Sequence, residues 1–313
     1  MLHKTDHSFS YYAIETGEQI AYIRTRPYPH EICLSPDRRR FYIAEMGVRG
    51  VESSGVGGHT IAVYDTKTLK LLSTIDTDPY DRPHGLATHA NGRLLVTSES
   101  TKTLLIYDMN SEALLYASYL DQDGAHMVNV DPNGKQAYTA NIFSNTITEV
   151  DVETGTVNKH IDVLERPEGI VFSKDAKLLY VVNRESQAVS IVDRTLGRQI
   201  DVIETDNGPV RVVITPDGRQ LVIPLFHSEA VQIVDTEKRT VTHTIAVGPH
   251  PAGTAMSPDG KLAFISCEDE NQIYTISMDT LNIVSSFNTG PGCDAMVCLY
   301  RKELDARYSM LDA

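Results

Sequence analysis

Short runs of Val, Ile, Leu, Tyr and Phe alternate along this chain with clusters of Asp, Asn, Gly, Pro and Ser. Within the runs the apolar positions follow the two-residue period of β-strands. The pattern predicts a strand through Leu34, a turn at Ser35-Pro36-Asp37, a strand from Phe41 to Glu45 and a long loop. Strands from Thr60 to Tyr64 and from Leu69 to Ile75 follow. The same punctuation then returns. The first turn recurs as Ala90-Asn91-Gly92, Asp131-Pro132-Asn133-Gly134, Ser173-Lys174-Asp175, Thr215-Pro216-Asp217-Gly218 and Ser257-Pro258-Asp259-Gly260. The later turn follows Asp65, Asp108, Asp151, Asp193 and Asp235. These residue types favour tight hairpin connections, and no helical period interrupts the series.

A second regularity sets the register of the units. Their first strands open on Pro29-His30, Pro83-His84, Ala125-His126, Pro167-Glu168, Pro209-Val210, Pro251-Ala252 and Cys293-Asp294. The second residue of each pair falls at 30, 84, 126, 168, 210, 252 and 294, so every step is 42 residues except the first, which is 54. Four short strands in such a period, repeated about an axis, are the signature of a β-propeller blade. Residues 8–24 read as two strands that match the last half of a repeat, and the stretch from Asp294 to Ala313 has room for the first two. The expectation is an all-β, single-domain, seven-bladed β-propeller of four-stranded blades over residues 1–313. Two N-terminal strands would complete the C-terminal blade and remove the edges that an open array leaves exposed.

The run from Leu179 to Asp193, LYVVNRESQAVSIVD, is echoed by Ala137-Tyr138-Thr139-Ala140-Asn141 and Thr146-Ile147-Thr148-Glu149-Val150-Asp151. It resembles the YVTN repeat of lactonase-like and surface-layer-type propellers, and the likeness covers essentially the whole chain. The resemblance implies the architecture. Because such propellers include lactonases, lyases and proteins with no known catalysis, it implies no single activity.

Charge and composition narrow the partners. A formal net charge of −14 disfavours nucleic acid and anionic membrane surfaces, which need a positive footprint. No apolar run is long enough to span a membrane. The four cysteines form no Cys-x-x-Cys pair and the 11 histidines show no zinc-finger spacing. Met1-Leu2-His3-Lys4-Thr5-Asp6 lacks the apolar core of a signal peptide, so a cytoplasmic setting is expected. The oligomeric state is left open.

Candidate chemistry lies in the column that opens the first strands. It reads His30, His84, His126, Glu168, Val210, Ala252, Asp294, and it should ring the mouth of the central channel. Three imidazoles and a carboxylate on neighbouring blades suit a divalent ion such as zinc, manganese or iron(II), so His30, His84, His126 and Glu168 are the candidate metal ligands. Fifteen residues further on, a second column reads Glu45, Glu99, Asn141, Asn183, Leu225, Cys267 and Ser309. There Glu45 and Glu99 would orient the histidines or move a proton. His227 and Arg211 join them as candidate catalytic groups, and Arg184, Asn141, Asn183, His250 and Asp294 as candidate contacts to a small-molecule substrate. The Gly-rich loop from Met46 to Gly58 is a lid or a tolerated insertion, and it is no P-loop.

Three readings of the inner column stand: a metal site, a metal-free acid–base site, and ordinary blade residues bonded to water. The first gives a metal-dependent enzyme for lactone hydrolysis, elimination or isomerisation of a small carboxylate- or lactone-containing molecule. Its rival is a non-catalytic propeller that binds a protein or ligand on the same face.

Overall fold

The computed structural model describes residues 1–300, which form strands and turns. Blade one consists of Pro29–Leu34, Arg40–Glu45, Thr60–Asp65 and Leu71–Asp76, paired antiparallel in that order. Five further four-stranded sheets of the same meander follow, with innermost strands opening near Pro83, Ala125, Pro167, Pro209 and Pro251. Among the described residues no helix is long and apolar enough to cross a membrane.

Burial explains the apolar runs. The two middle strands of each blade lie between neighbouring blades and are covered on both faces, so both sets of alternate side chains are apolar. Tyr42, Ile61 and Val63 of blade one, for instance, pack against Leu94, Val96 and Leu105 of blade two. The outermost strands are largely exposed, as at Leu71–Asp76 and Asn282–Asn288.

The seventh blade closes the ring. Leu2–His3, Ser8–Tyr12 and Gln19–Arg24 form a three-stranded sheet, and the segment around Cys293 supplies the innermost position. There Leu2 N donates to Ala295 O at 2.9 Å, Asp294 N donates to Leu2 O at 3.1 Å and Lys4 N donates to Gly292 O at 2.8 Å. The two N-terminal strands thus complete the C-terminal blade as expected. The equal division between the chain ends does not hold, because Leu2–His3 takes the second-strand position that was expected from the C-terminus. The physical reason is Leu2, which is fully buried in a cluster with Phe9, Phe41 and Ile43. Ser309 lies outside the described residues.

Five of the innermost strands depart from regular pairing where the column residue stands. The register shifts between Pro29 and Glu31, Pro83 and Leu86, Ala125 and Val128, Pro167 and Ile170, and Pro251 and Thr254. A bulge bends its strand and re-aims a side chain. Here the repeated bulges set the column residues at the mouth of the channel.

Candidate functional site

The bulges bring adjacent inner strands very close together. A Cβ on Gly85 would stand 2.4 Å from His126 O, so only glycine fits beside His84. The hydroxyl of Thr97 links the two strands, accepting from Gly85 N at 2.8 Å and donating to His126 O. Blade six repeats the device: Gly253 N donates to Ser266 Oγ at 2.9 Å, and that hydroxyl donates to Asp294 O at 3.0 Å. Backbone approach of this kind sets the column side chains face to face.

The three histidines form a continuous stack. His30 and His84 have ring centroids 4.3 Å apart, and His84 and His126 3.8 Å apart at an interplanar angle of 27°. His84 is 1% exposed, and neither of its ring nitrogens has a hydrogen-bond partner. Burial, then the neighbouring His126 and His30, holds its imidazole well below the usual histidine range and therefore neutral. His126 behaves oppositely. Its Nδ1 lies 2.6 Å from Glu99 Oε1 and its Nε2 3.5 Å from Glu168 Oε2. Burial alone would lower it, but the two carboxylates outweigh burial and raise it. Glu168 is held low in turn, because His126, Arg184 and Arg166 outweigh the effect of burial.

Two sets of lone-pair groups gather closely enough to share an ion: His30, Glu31 and His84, and His84, Glu99 and His126, each within 4.8 Å. Three of the four expected metal ligands fall in these sets. Glu168 falls in neither, and Arg184 at 3.3 Å and Arg166 at 3.5 Å hold it on the far side of His126.

A cavity of about 470 Å³ opens above the stack. Its lining combines His30, His126, Glu168 and Asp294 with the apolar side chains of Val210, Phe226 and Ala252. Its floor is a charged strut across the channel. Arg211 of blade five pairs with Glu31 of blade one and, at 3.3 Å, with Asp294 of blade seven, while Lys4 Nζ lies 2.9 Å from Asp294 Oδ2. Below the strut lies a second space of about 340 Å³, lined by residues such as Thr88 and Val171. The four charges balance. Burial opposes ionisation of Glu31 and Asp294, but Arg211 with His30 holds Glu31 low, and Lys4 with Arg211 holds Asp294 low.

The second column contributes less to the cavity. Glu99 reaches His126, but Glu45 accepts from Thr60 Oγ1 at 2.7 Å and from Arg26 N at 3.0 Å. Asn141 Nδ2 donates to Thr146 and Thr148 at 3.0 and 2.8 Å, and Asn183 Nδ2 to Val181 O and Ser190 Oγ, both at 2.9 Å. These side chains lock hairpins within their own blades. Arg184 lines the cavity, with its guanidinium 4.8 Å over the Phe226 ring and 3.3 Å from His227 Nε2. His250 stacks on Phe226 at 4.4 Å and meets Asp269 at 2.7 Å, on the rim. Cys267 and Cys293 are buried free thiols pushed up to about 12 and about 11, chiefly by burial.

Sequence reasoning missed Glu31, Lys4 and Arg166. A signal existed for the first: the position after the column reads Glu31, Gly85, Met127, Gly169, Arg211, Gly253, Ala295. Only three large side chains can meet at the axis, and two of them carry opposite charge. The blade-one loop is fastened over the cavity. Arg82 donates to Val56 O at 3.2 Å, Val51 O at 3.1 Å, Ser53 O at 2.6 Å and also to Gly55 O, while Glu52 meets Arg166 at 2.8 Å.

Fold and site together define a seven-bladed propeller with a polar, ionisable pocket at one end of its channel. The family described as Lactonase, 7-bladed beta-propeller, matches residues 24–199, more than half of the chain, and the chain belongs to that family. Antigen Lp49 of Leptospira interrogans serogroup Icterohaemorrhagiae serovar copenhageni (strain Fiocruz L1-130) is 24% identical over 165 residues, 48% of this chain and 35% of that protein. The chain therefore matches about a third of the length of that curated relative. Among solved structures, Kuenenia stuttgartiensis hydrazine synthase superposes with a TM-score of 0.73 at 20% identity, over 86% of this chain and 89% of that one. A functionally unknown protein from Desulfotomaculum acetoxidans DSM 771 superposes with a TM-score of 0.75 at 13% identity, over 94% and 98%. At such identities these structures share the fold with this chain.

Proposed function

We propose that this propeller is a metal-dependent enzyme that acts on a small carboxylate- or lactone-containing molecule in the cavity above the histidine stack. The observation that carries the reading is His84, a buried neutral imidazole whose two ring nitrogens lack hydrogen-bond partners. An unsatisfied buried polar group costs about 1–3 kcal/mol, and a bound cation would remove that cost. Neutral imidazole and carboxylate donors suit zinc, manganese or iron(II). Of the two ligand sets, His30, Glu31 and His84 fit better, because both nitrogens of His126 already face carboxylates. Arg211 would orient the Glu31 carboxylate from behind.

A divalent ion there supplies Lewis acidity toward a carbonyl or carboxylate oxygen. The chain's own groups do the rest. His126, charged and fixed between Glu99 and Glu168, offers a proton at the cavity wall. Arg184 and Arg166 hold Glu168 ionised and so keep His126 in orientation. Hydrolysis, elimination and isomerisation each place negative charge on an oxygen, and all three suit this arrangement.

The test is turnover of a panel of lactones and 3-hydroxy acids by chelated protein and by protein loaded with zinc, manganese or iron(II). Activity that follows metal loading and disappears in His84→Ala supports the reading. Activity indifferent to both chelation and His84→Ala refutes it, and ligand binding without turnover in every metal form favours a non-catalytic binding propeller.

A further inference from the structure

The cavity lining joins cationic and apolar side chains. Arg166 and Arg184 reach it from the two ends of one hairpin in blade four, each with a side chain 19% exposed. Val210, Phe226 and Ala252 add apolar surface to the same lining, with the Phe226 ring 4.8 Å beneath the Arg184 guanidinium. Glu168 lies between the two guanidiniums, at 3.3 Å from Arg184 Nη1 and 3.5 Å from Arg166 Nε. Arg166 Nη1 takes a second carboxylate, that of Glu52, at 2.8 Å, and lies 3.9 Å from that of Glu185. Glu52 belongs to the blade-one loop, and its side chain is 67% exposed. Arg82 pins the loop backbone at four carbonyls, so the Glu52 side chain can leave Arg166 without the loop moving. Arg49 of the same loop also lines the cavity, and among the described residues it has no hydrogen-bond or ion-pair partner.

We propose that Glu52 is an internal stand-in for the carboxylate of the ligand: a carboxylate with an apolar body displaces it from Arg166 and lies with that body against Val210, Phe226 and Ala252. The inference rests on the reading of this cavity as a small-molecule site, and it names the class of molecule. Exchange of one carboxylate for another leaves the charge balance around Arg166 and Arg184 unchanged, whereas a doubly charged phosphate would not. Arg49 closes over the incoming anion. The Glu52 pair is solvent-exposed and weak, so its loss to a ligand that also buries an apolar ring is favourable.

Calorimetric titration with benzoate, on chelated full-length protein at low ionic strength, tests this directly. Glu52→Gln is expected to tighten benzoate about two- to fivefold, the range that corresponds to an exposed ion pair. Arg166→Gln is expected to weaken benzoate at least about tenfold and to abolish the effect of Glu52→Gln in the double variant. Phe226→Ala should weaken benzoate and leave acetate unchanged. Benzoate affinity indifferent to Glu52→Gln, benzamide binding as tightly as benzoate, or inorganic phosphate binding more tightly than benzoate each overturns the proposal. Because the titration is run without metal, competition by Glu52 in a protein that never takes up metal supports the subsite and counts only against the metal-dependent enzyme.

Discussion

Removal of Arg211 tests the strut across the channel. The guanidinium faces both Glu31 and Asp294, as His30 Nδ1 does at 3.9 and 3.8 Å, and the Arg211, Glu31 and Asp294 side chains are largely or wholly buried. In Arg211→Met, Asp294 keeps Lys4 at 2.9 Å, but among the described residues Glu31 is left with His30, at 3.9 Å. Breaking a buried pair by deleting one partner costs about 3–5 kcal/mol, because the remaining charge is desolvated and uncompensated. For a chain of 313 residues the entropy of unfolding at the midpoint is roughly 0.7 kcal/mol/K, so that loss lowers Tm by about 4–8 °C. Glu31→Gln alone strands Arg211 less completely, since Asp294 remains, and costs less. The decisive variant is the double one. Arg211→Met with Glu31→Gln removes both charges, leaves Lys4 with Asp294, and should recover more than half of the single-variant loss, a coupling measurable by urea denaturation. If Arg211→Met costs under about 1 kcal/mol, or if the two losses simply add, the strut is not an energetic unit and the argument from buried charge fails.

Three further outcomes follow from single contacts. His3 sits in the closing blade, where burial first of all pushes its imidazole down to about 4. Its contribution is therefore complete above the usual histidine value of about 6.5 and is lost as pH falls from there toward 4, by about 3 kcal/mol. In His3→Asn the curve of stability against pH should be flatter by that amount across this window, and parallel curves would show the shift to be absent. Arg82→Ala should release the blade-one loop and speed trypsin cleavage after Arg49 at least about tenfold, with Tm changed by no more than about 2 °C; unchanged cleavage would mean that the loop needs no clamp. Asn141→Ala should cost about 1–3 kcal/mol in stability, because it strips partners from buried Thr146 and Thr148, and should leave benzoate affinity intact. A loss of benzoate binding in folded protein would return Asn141 to the substrate contacts.

The fold was legible because its determinants are periodic. Turn residues and middle-strand apolar runs recur with every blade, since each blade meets the same two neighbours. The inner column was legible for the same reason, as five units open on a bulge at one register position. What escaped notice was whatever depends on contact between blades. Glu31 and Arg211 are 180 residues apart, by subtraction of their numbers, and nothing local marks them as partners. Leu2–His3 is too short a strand to show a period, and only its burial against Phe9 reveals it. Asn141 and Glu45 looked like channel residues because they end strands on the correct face. Their side chains instead bond to hydroxyls in the next strand, Thr146, Thr148 and Thr60, a choice that residue type alone does not make.

The central claim is that the imidazole of His84, whose ring nitrogens make no hydrogen bond and whose nearest carboxylate, Glu99, lies 3.9 Å from Nε2, belongs to a metal site. Elemental analysis of tag-free protein, purified without chelator and then equilibrated with zinc, manganese or iron(II), tests it most directly beside His84→Ala shown by circular dichroism to be folded. The account predicts about one equivalent of metal per chain in the parent and its loss in the variant. A folded parent that takes up none of the three metals, or a variant that retains the same amount, would contradict it.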